Sequence, residues 1–232
     1  MPDDASTLIA DRRDFIRSQT RLHPVPHVPE ISLFVADEAL DIWEKTEEQL
    51  GAMGMPPPFW AFAWAGGQAL ARYVLDHPKL VAGKNVLDFA AGSGLVAIAA
   101  AMAGAKSVLA SEIDLFACDA IAINAAQNGV AVTVSGDDLT ASDGSRFDII
   151  LAGDVFYEKP MSARVFDWLQ DAHGRGTIVL IGDPGRSYLP RDQLQALAEY
   201  TVPVARSLED AEIKRTTVWQ IAPSGDGSIG SR

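Results

Sequence analysis

Residues 86–97 read VLDFAAGSGLVA: an apolar strand ending in Asp88, a turn carrying Gly92 and Gly94, and the start of an apolar helix. Glycine supplies the tight backbone geometry and lets a ligand approach the chain closely. With Ala97 the stretch satisfies G-x-G-x-x-A, and Glu112 follows Gly92 by 20 residues at the end of the next apolar run, KSVLAS. That spacing fits a nucleotide cradled between two neighbouring parallel strands.

Two nucleotide classes fit, and Asp88 separates them. A dinucleotide would bring its pyrophosphate to this turn, where a carboxylate repels it, and its turn usually starts sooner after the strand than the intervening alanines allow. S-adenosylmethionine carries an ammonium and a sulfonium and no phosphate, so an acid there is favourable. Glu112 is placed to accept both ribose hydroxyls. Asp114, which opens the next helix, is the better helix-terminal acid. After the third strand, SGDDLT offers Asp138 for the adenine amino group and Leu139 for the ring, with Asp137 or Asp138 as an alternative turn residue.

From Lys84 onward strands alternate with helices: NVLDFA, SGLVAIAAAMAGA, KSVLAS, DLFACDAIAINAAQNG, VAVTVSG, FDIILAG, SARVFDWLQDAH and TIVLIGD. This predicts a parallel sheet covered on both faces, with ligands at the carboxyl ends of its strands. A helix near DQLQALAEY and a closing antiparallel hairpin, VPVARSL with IKRTTVWQIA, are expected. Upstream, the pattern predicts a short helix over 6–21 capped by Ser6, an extended HPVPHVPE, a strand at ISLFVA, a helix at DEALDIWEKTEEQL, and a helix over about 67–76. The expected organisation is an N-terminal extension over 1–65, a catalytic domain over 66–222 and a disordered tail over 223–232.

Together these features resemble the class I S-adenosylmethionine-dependent methyltransferases, from about Trp60 to Ala222. The resemblance implies a Rossmann-like, mostly parallel seven-stranded sheet whose last strand is antiparallel. It also implies that Ala90, Ile113 and Gly153 join Asp88, Gly92, Gly94, Glu112, Asp138 and Leu139 at the cofactor.

The acceptor is read from LAGDVFYEKP, residues 151–160. A lysine amine, with a pKa of about 10.4, must lose a proton before it can attack. An acid can hold the incoming ammonium and accept or relay its proton, and aromatic faces can shelter it. Asp154 and Tyr157 supply both in a D-x-x-Y pattern resembling that of seven-stranded protein-lysine methyltransferases. The N-P-P-Y pattern of amide and base methylation is absent. A second stretch, FWAFAWAGGQ, brings Trp64 toward the cofactor edge. With GDVFYE it is similar to the family that methylates lysines of the electron transfer flavoprotein beta subunit, in which W-P-G-G-Q often stands where this chain has Ala65. The resemblance implies that flavoprotein subunit as protein partner. A nicotinamide-like small-molecule acceptor and a ribosomal-protein acceptor are the alternatives.

The composition agrees. The formal net charge of −12, from 19 basic and 31 acidic side chains, opposes nucleic-acid binding. No apolar run reaches the roughly 20 residues that span a bilayer, so no membrane partner is expected. The single cysteine, Cys118, points to a reducing, cytoplasmic setting. His23, His27, His77 and His173 lack metal-ligand spacing, so no metal is expected. A monomer is expected.

Overall fold

The computed structural model describes residues 11–36, 56–204 and 213–222. Strands β3 (Asn85–Phe89), β4 (Ser107–Ser111), β5 (Thr133–Ser135), β6 (Ile149–Gly153) and β7 (Ile178–Asp183) are parallel. Strand β9 (Ile213–Ile221) inserts antiparallel between β7 and β8 (Leu194–Pro203). The sheet order is β5-β4-β3-β6-β7-β9-β8. From β3 the chain runs outward to β4 and β5, then crosses back to β6 on the other side. The crevice at that reversal, between the carboxyl ends of β3 and β6, is where this architecture places ligands.

The strands are apolar nearly throughout because both faces are covered. Successive residues serve opposite layers. Val86, Ile149, Leu151 and Leu180 pack with helices α2 (Ala65–Asp76), α3 (Leu95–Met102) and α4 (Leu115–Gln127). Leu87, Ile150, Val179 and Ile181 pack with α5 (Lys159–Gly174) through Val165, Phe166, Trp168 and Leu169.

The N-terminal segment adds a short helix, α1 (Arg12–Ser18), and an antiparallel hairpin of β1 (Arg21–Val25) and β2 (Val28–Val35). The predicted helix over 6–21 is therefore shorter. Its N-cap is Asp11, whose carboxylate accepts from the Arg13 and Asp14 amides, while Ser6 lies outside the described residues. Two asparagines on α4 hold the hairpin. The Asn124 side chain accepts from the Phe34 amide at 2.8 Å and donates to the Ser93 carbonyl at 2.9 Å, and Asn128 accepts from the Ser32 amide at 3.0 Å. Because Ser93 belongs to the glycine turn, Asn124 ties that turn to the extension.

One prediction fails. DQLQALAEY is a single 3₁₀ turn running into β8, not a helix. Alanine, leucine and glutamate favour helices only weakly, and pairing along β9 overrides that preference. The predicted helix at DEALDIWEKTEEQL and the tail over 223–232 lie outside the described residues, as does the ARSL end of the penultimate strand beyond Val204.

Candidate active site

A cleft of about 400 Å³ opens at the reversal point. A narrower recess of about 50 Å³ adjoins it, sharing Trp64, Ala90, Gly92, Gly153 and Asp154. Glu112, Ile113, Asp138 and Tyr157 line the cleft, and Asp88 lines the recess. Two predicted residues line neither. Gly94 lies at φ 82°, where an added Cβ would press to 3.1 Å from Ile121 Cγ2, so it serves the packing of α3 on α4. Leu139 is buried with Phe89 and Phe147 in the core.

The glycine turn is shaped for a ligand. Gly92 has φ 52°, and a Cβ added there would meet no protein atom within 4 Å. Its amide donates to Glu112 Oε2 at 3.1 Å, and the Asp114 amide donates to Oε1 at 3.2 Å. Two backbone donors thus fix the Glu112 carboxylate at the end of β4. Ala90 also takes the left-handed conformation, at φ 53°, which costs a residue with a Cβ about 1 kcal/mol. Asp88 is 1% exposed, and its Oδ2 accepts from the Ala97 amide at 2.8 Å, tying β3 to α3. Burial, reinforced by the Glu112 charge, pushes the Asp88 carboxyl up to about 8. Asp138 accepts from the Thr140 amide at 3.0 Å and lies 3.3 Å from Arg164 Nη2. The Glu112 and Asp138 carboxylates and the open side of Gly92 fit a cationic, ribose-bearing cofactor.

The acceptor edge is assembled by close contacts between glycines. Gly153 and Gly182 are in register on β6 and β7, and an aspartate follows each, Asp154 just past β6 and Asp183 as the last residue of β7. Helix α2 enters at Gly66 and Gly67 directly against them. A Cβ on Gly153 would lie 3.0 Å from Gly67 Cα, and one on Gly182 would collide with the Gly66 carbonyl oxygen. The N-cap residue of α2, Trp64, makes no side-chain cap bond. Asp154 caps the helix instead, accepting from the Gly67 amide at 3.0 Å through Oδ2. It sits at φ 58°, a conformation aspartate tolerates better than most residues. Next along the helix, buried Gln68 donates to the Ala63 carbonyl at 2.7 Å and accepts from the His27 amide at 3.2 Å. The G-G-Q stretch is thus packing and bracing.

Arg186 completes the edge and was not among the predicted residues. Its Nη2 and Nε donate to Asp154 Oδ1 at 2.7 and 3.1 Å, and its guanidinium carbon lies 5.6 Å from the centre of the Trp64 ring. Asp154 is 8% exposed. Burial raises its carboxyl above the usual range, and Arg186 and the helix amides oppose that rise. Phe59 and Tyr157 form the rim, their rings 5.5 Å apart, with Phe59 also 6.0 Å from Trp64.

Relatives decide the family. Mouse electron transfer flavoprotein beta subunit lysine methyltransferase is 39% identical over 201 residues, covering 84% of this chain and 78% of the relative. The zebrafish protein of the same name is 36% identical over 224 residues, covering 94% and 83%. The chain belongs to the electron transfer flavoprotein beta subunit lysine methyltransferase family. A family model described as ribosomal protein L11 methyltransferase (PrmA) matches residues 69–155, from within α2 to just beyond β6. Among solved structures, magnesium protoporphyrin IX methyltransferase of Synechocystis PCC 6803, with bound S-adenosylmethionine, superposes with a TM-score of 0.51 at 15% identity. It covers 81% of this chain and 100% of that one. This similarity shows the shared fold. Among the described residues no cluster of three metal-ligating side chains occurs, and no helix is long and apolar enough to cross a membrane.

Proposed function

We propose that this protein methylates lysine ε-amines of the electron transfer flavoprotein beta subunit, using S-adenosylmethionine. The observation that carries this is the acceptor edge of a chain in this family. A buried carboxylate, Asp154, stands beside an open aromatic rim of Phe59, Trp64 and Tyr157, with Phe59 40% and Tyr157 49% exposed. An open rim admits a side chain carried on a protein surface.

S-adenosylmethionine, when bound, supplies an electrophilic methyl group on a sulfonium sulfur. Glu112 would hold the ribose hydroxyls, Asp138 the adenine amino group, and Ile113, Ala90 and Gly92 the walls between. Asp88 and Gly153 border the recess beside them. At the acceptor edge the Asp154 carboxylate holds the Arg186 guanidinium beside the rim, and Tyr157 lines the lysine's approach. The rim aligns the amine for the transfer.

Asp154→Asn tests the assignment, since an amide still caps α2 but carries no charge. Cofactor affinity by calorimetry is expected to stay within about threefold of the wild-type value. The rate of lysine methylation is expected to fall at least tenfold, about 1.4 kcal/mol of transition-state stabilisation. Wild-type turnover in that variant would remove Asp154 from the reaction.

A further inference from the structure

Three acidic or basic groups at this edge act as one unit. Asp183 ends β7, and its Oδ1 accepts from the Gly185 and Arg186 amides at 2.6 and 2.7 Å. This turn aims the Arg186 side chain back across the sheet edge to Asp154. Gly185 lies at φ 94° with the Arg191 side chain against it, so the turn accepts no other residue easily. Asp183 is 1% exposed, and burial together with the Asp154 charge pushes its carboxyl up to about 6. The guanidinium thus stands in the cleft between the buried Asp154 carboxylate and an indole face, with the Arg186 backbone amide held by the buried Asp183.

A lysine ammonium arriving here would seek the same two partners, a carboxylate and a π-face. Both are engaged. Asp154 Oδ1 takes two N–H groups from Arg186, Oδ2 takes the helix amide, and the guanidinium lies over Trp64. Displacing the guanidinium would break both of its hydrogen bonds to Oδ1 and its contact with the indole, which the point charge of an ammonium replaces less well. Exchange of ammonium for guanidinium is therefore unfavourable.

We propose that Arg186 is a positioning residue for the acceptor. It neutralises Asp154 and covers Trp64, so that lysine enters as a neutral amine packed against the guanidinium. This rests on the methyltransferase reading above. The nitrogen lone pair forms the new N–C bond while the S–C bond breaks and its electron pair stays on sulfur. An ammonium has no lone pair and must first release a proton to water. A neighbouring cation shifts that release to lower pH. The other charged and titratable groups at the cleft are Asp154, Asp183, Glu112, Asp114, Asp137, Asp138, Glu158, Tyr157 and Arg164, with Asp88 in the recess. Arg164 is paired with Asp138 at 3.3 Å and the acids hold a lysine pKa up, so the cation that offsets them beside Asp154 is Arg186.

The test is the pH dependence of kcat and KM for methylation of the flavoprotein subunit by wild-type protein, Arg186→Gln and Arg186→Lys. Cofactor affinity and melting temperature are measured alongside. Wild-type protein should show an acid limb in kcat at least one unit below the free-lysine pKa of about 10.4. Arg186→Gln should move that limb up by about one unit, lowering kcat about tenfold near neutral pH, with recovery in alkali and KM and cofactor affinity little changed. Arg186→Lys keeps a cation and should keep the limb. A wild-type limb at the free-lysine value overturns the proposal without any variant. So does an unmoved limb in Arg186→Gln, or a fall in its KM at unchanged kcat, which would make Arg186 a placeholder for ammonium. No methylation by wild-type protein overturns the functional reading itself, and the proposal with it.

Discussion

Gly66 and Gly67 are adjacent glycines on the first turn of α2, yet alanine should have opposite effects at the two positions. A Cβ on Gly66 would collide with the Gly182 carbonyl oxygen and lie 2.5 Å from Asp154 Oδ2. Neither neighbour can yield. The Gly182 carbonyl accepts the Asp154 amide at 2.9 Å, and Asp154 is held by Arg186. Overpacking of this kind costs about 1–3 kcal/mol. Displacing α2 also weakens the bond from the Gly67 amide to a charged carboxylate, worth about 1.5–3 kcal/mol. A loss of about 4 kcal/mol is expected for Gly66→Ala, which at this chain length lowers Tm by roughly 8–16 °C. At Gly67 an added Cβ meets Val96 Cγ2 at 3.9 Å and Leu95 Cδ2 at 4.0 Å, ordinary contact distances. The helix-propensity gain of about 0.5–1 kcal/mol then prevails, raising Tm by roughly 1–4 °C. Differential scanning calorimetry of the two variants reads both signs. A Gly66→Ala protein melting with the wild type, or a Gly67→Ala protein falling as far as its neighbour, would refute the close-contact account.

Two further substitutions probe the cofactor side. Glu112→Gln keeps the side-chain shape and removes the charge, so calorimetry should show S-adenosylmethionine binding weakened about ten- to a hundredfold, the value of a charged hydrogen bond; unchanged affinity would move the ribose elsewhere. Asp88 titrates near 8 in the folded protein against 3.8 unfolded, so between those values the native state holds a proton that the unfolded chain has lost. Stability therefore falls as pH rises through that window. Asp88→Asn has no such proton, so its Tm relative to wild type should climb from about pH 5 to about pH 8, and a constant difference would contradict the buried, protonated carboxyl.

The strands β3, β4, β6 and β7 were legible because each is a short apolar run ending in a polar turn. That pattern also located Asp88, Glu112 and Asp154 at one edge of the sheet. The β8 strand was not legible, since Gln195–Tyr200 has the composition of a helix and only its long-range pairing with β9 makes it extended. The N-terminal hairpin was read as an extended segment and a strand, because its pairing and its asparagine clamps on α4 are not local. Arg186 was missed although a signal existed. TIVLIGDPGR repeats the strand-Gly-Asp ending of FDIILAGD, and two such endings on neighbouring strands place their acids together. What the sequence could not show is that Asp154 is satisfied from behind by α2 and from the side by Arg186, since both contacts join residues far apart in the chain.

A protein lysine is the acceptor of the methyl group in the proposed reaction. The most direct measurement is incubation of the purified protein with isotopically labelled S-adenosylmethionine and recombinant electron transfer flavoprotein beta subunit, followed by peptide mass spectrometry. Labelled methyl groups are expected on lysine side chains of that subunit, dependent on the added enzyme. Label confined to small molecules, or absent from lysine, would contradict the proposed reaction.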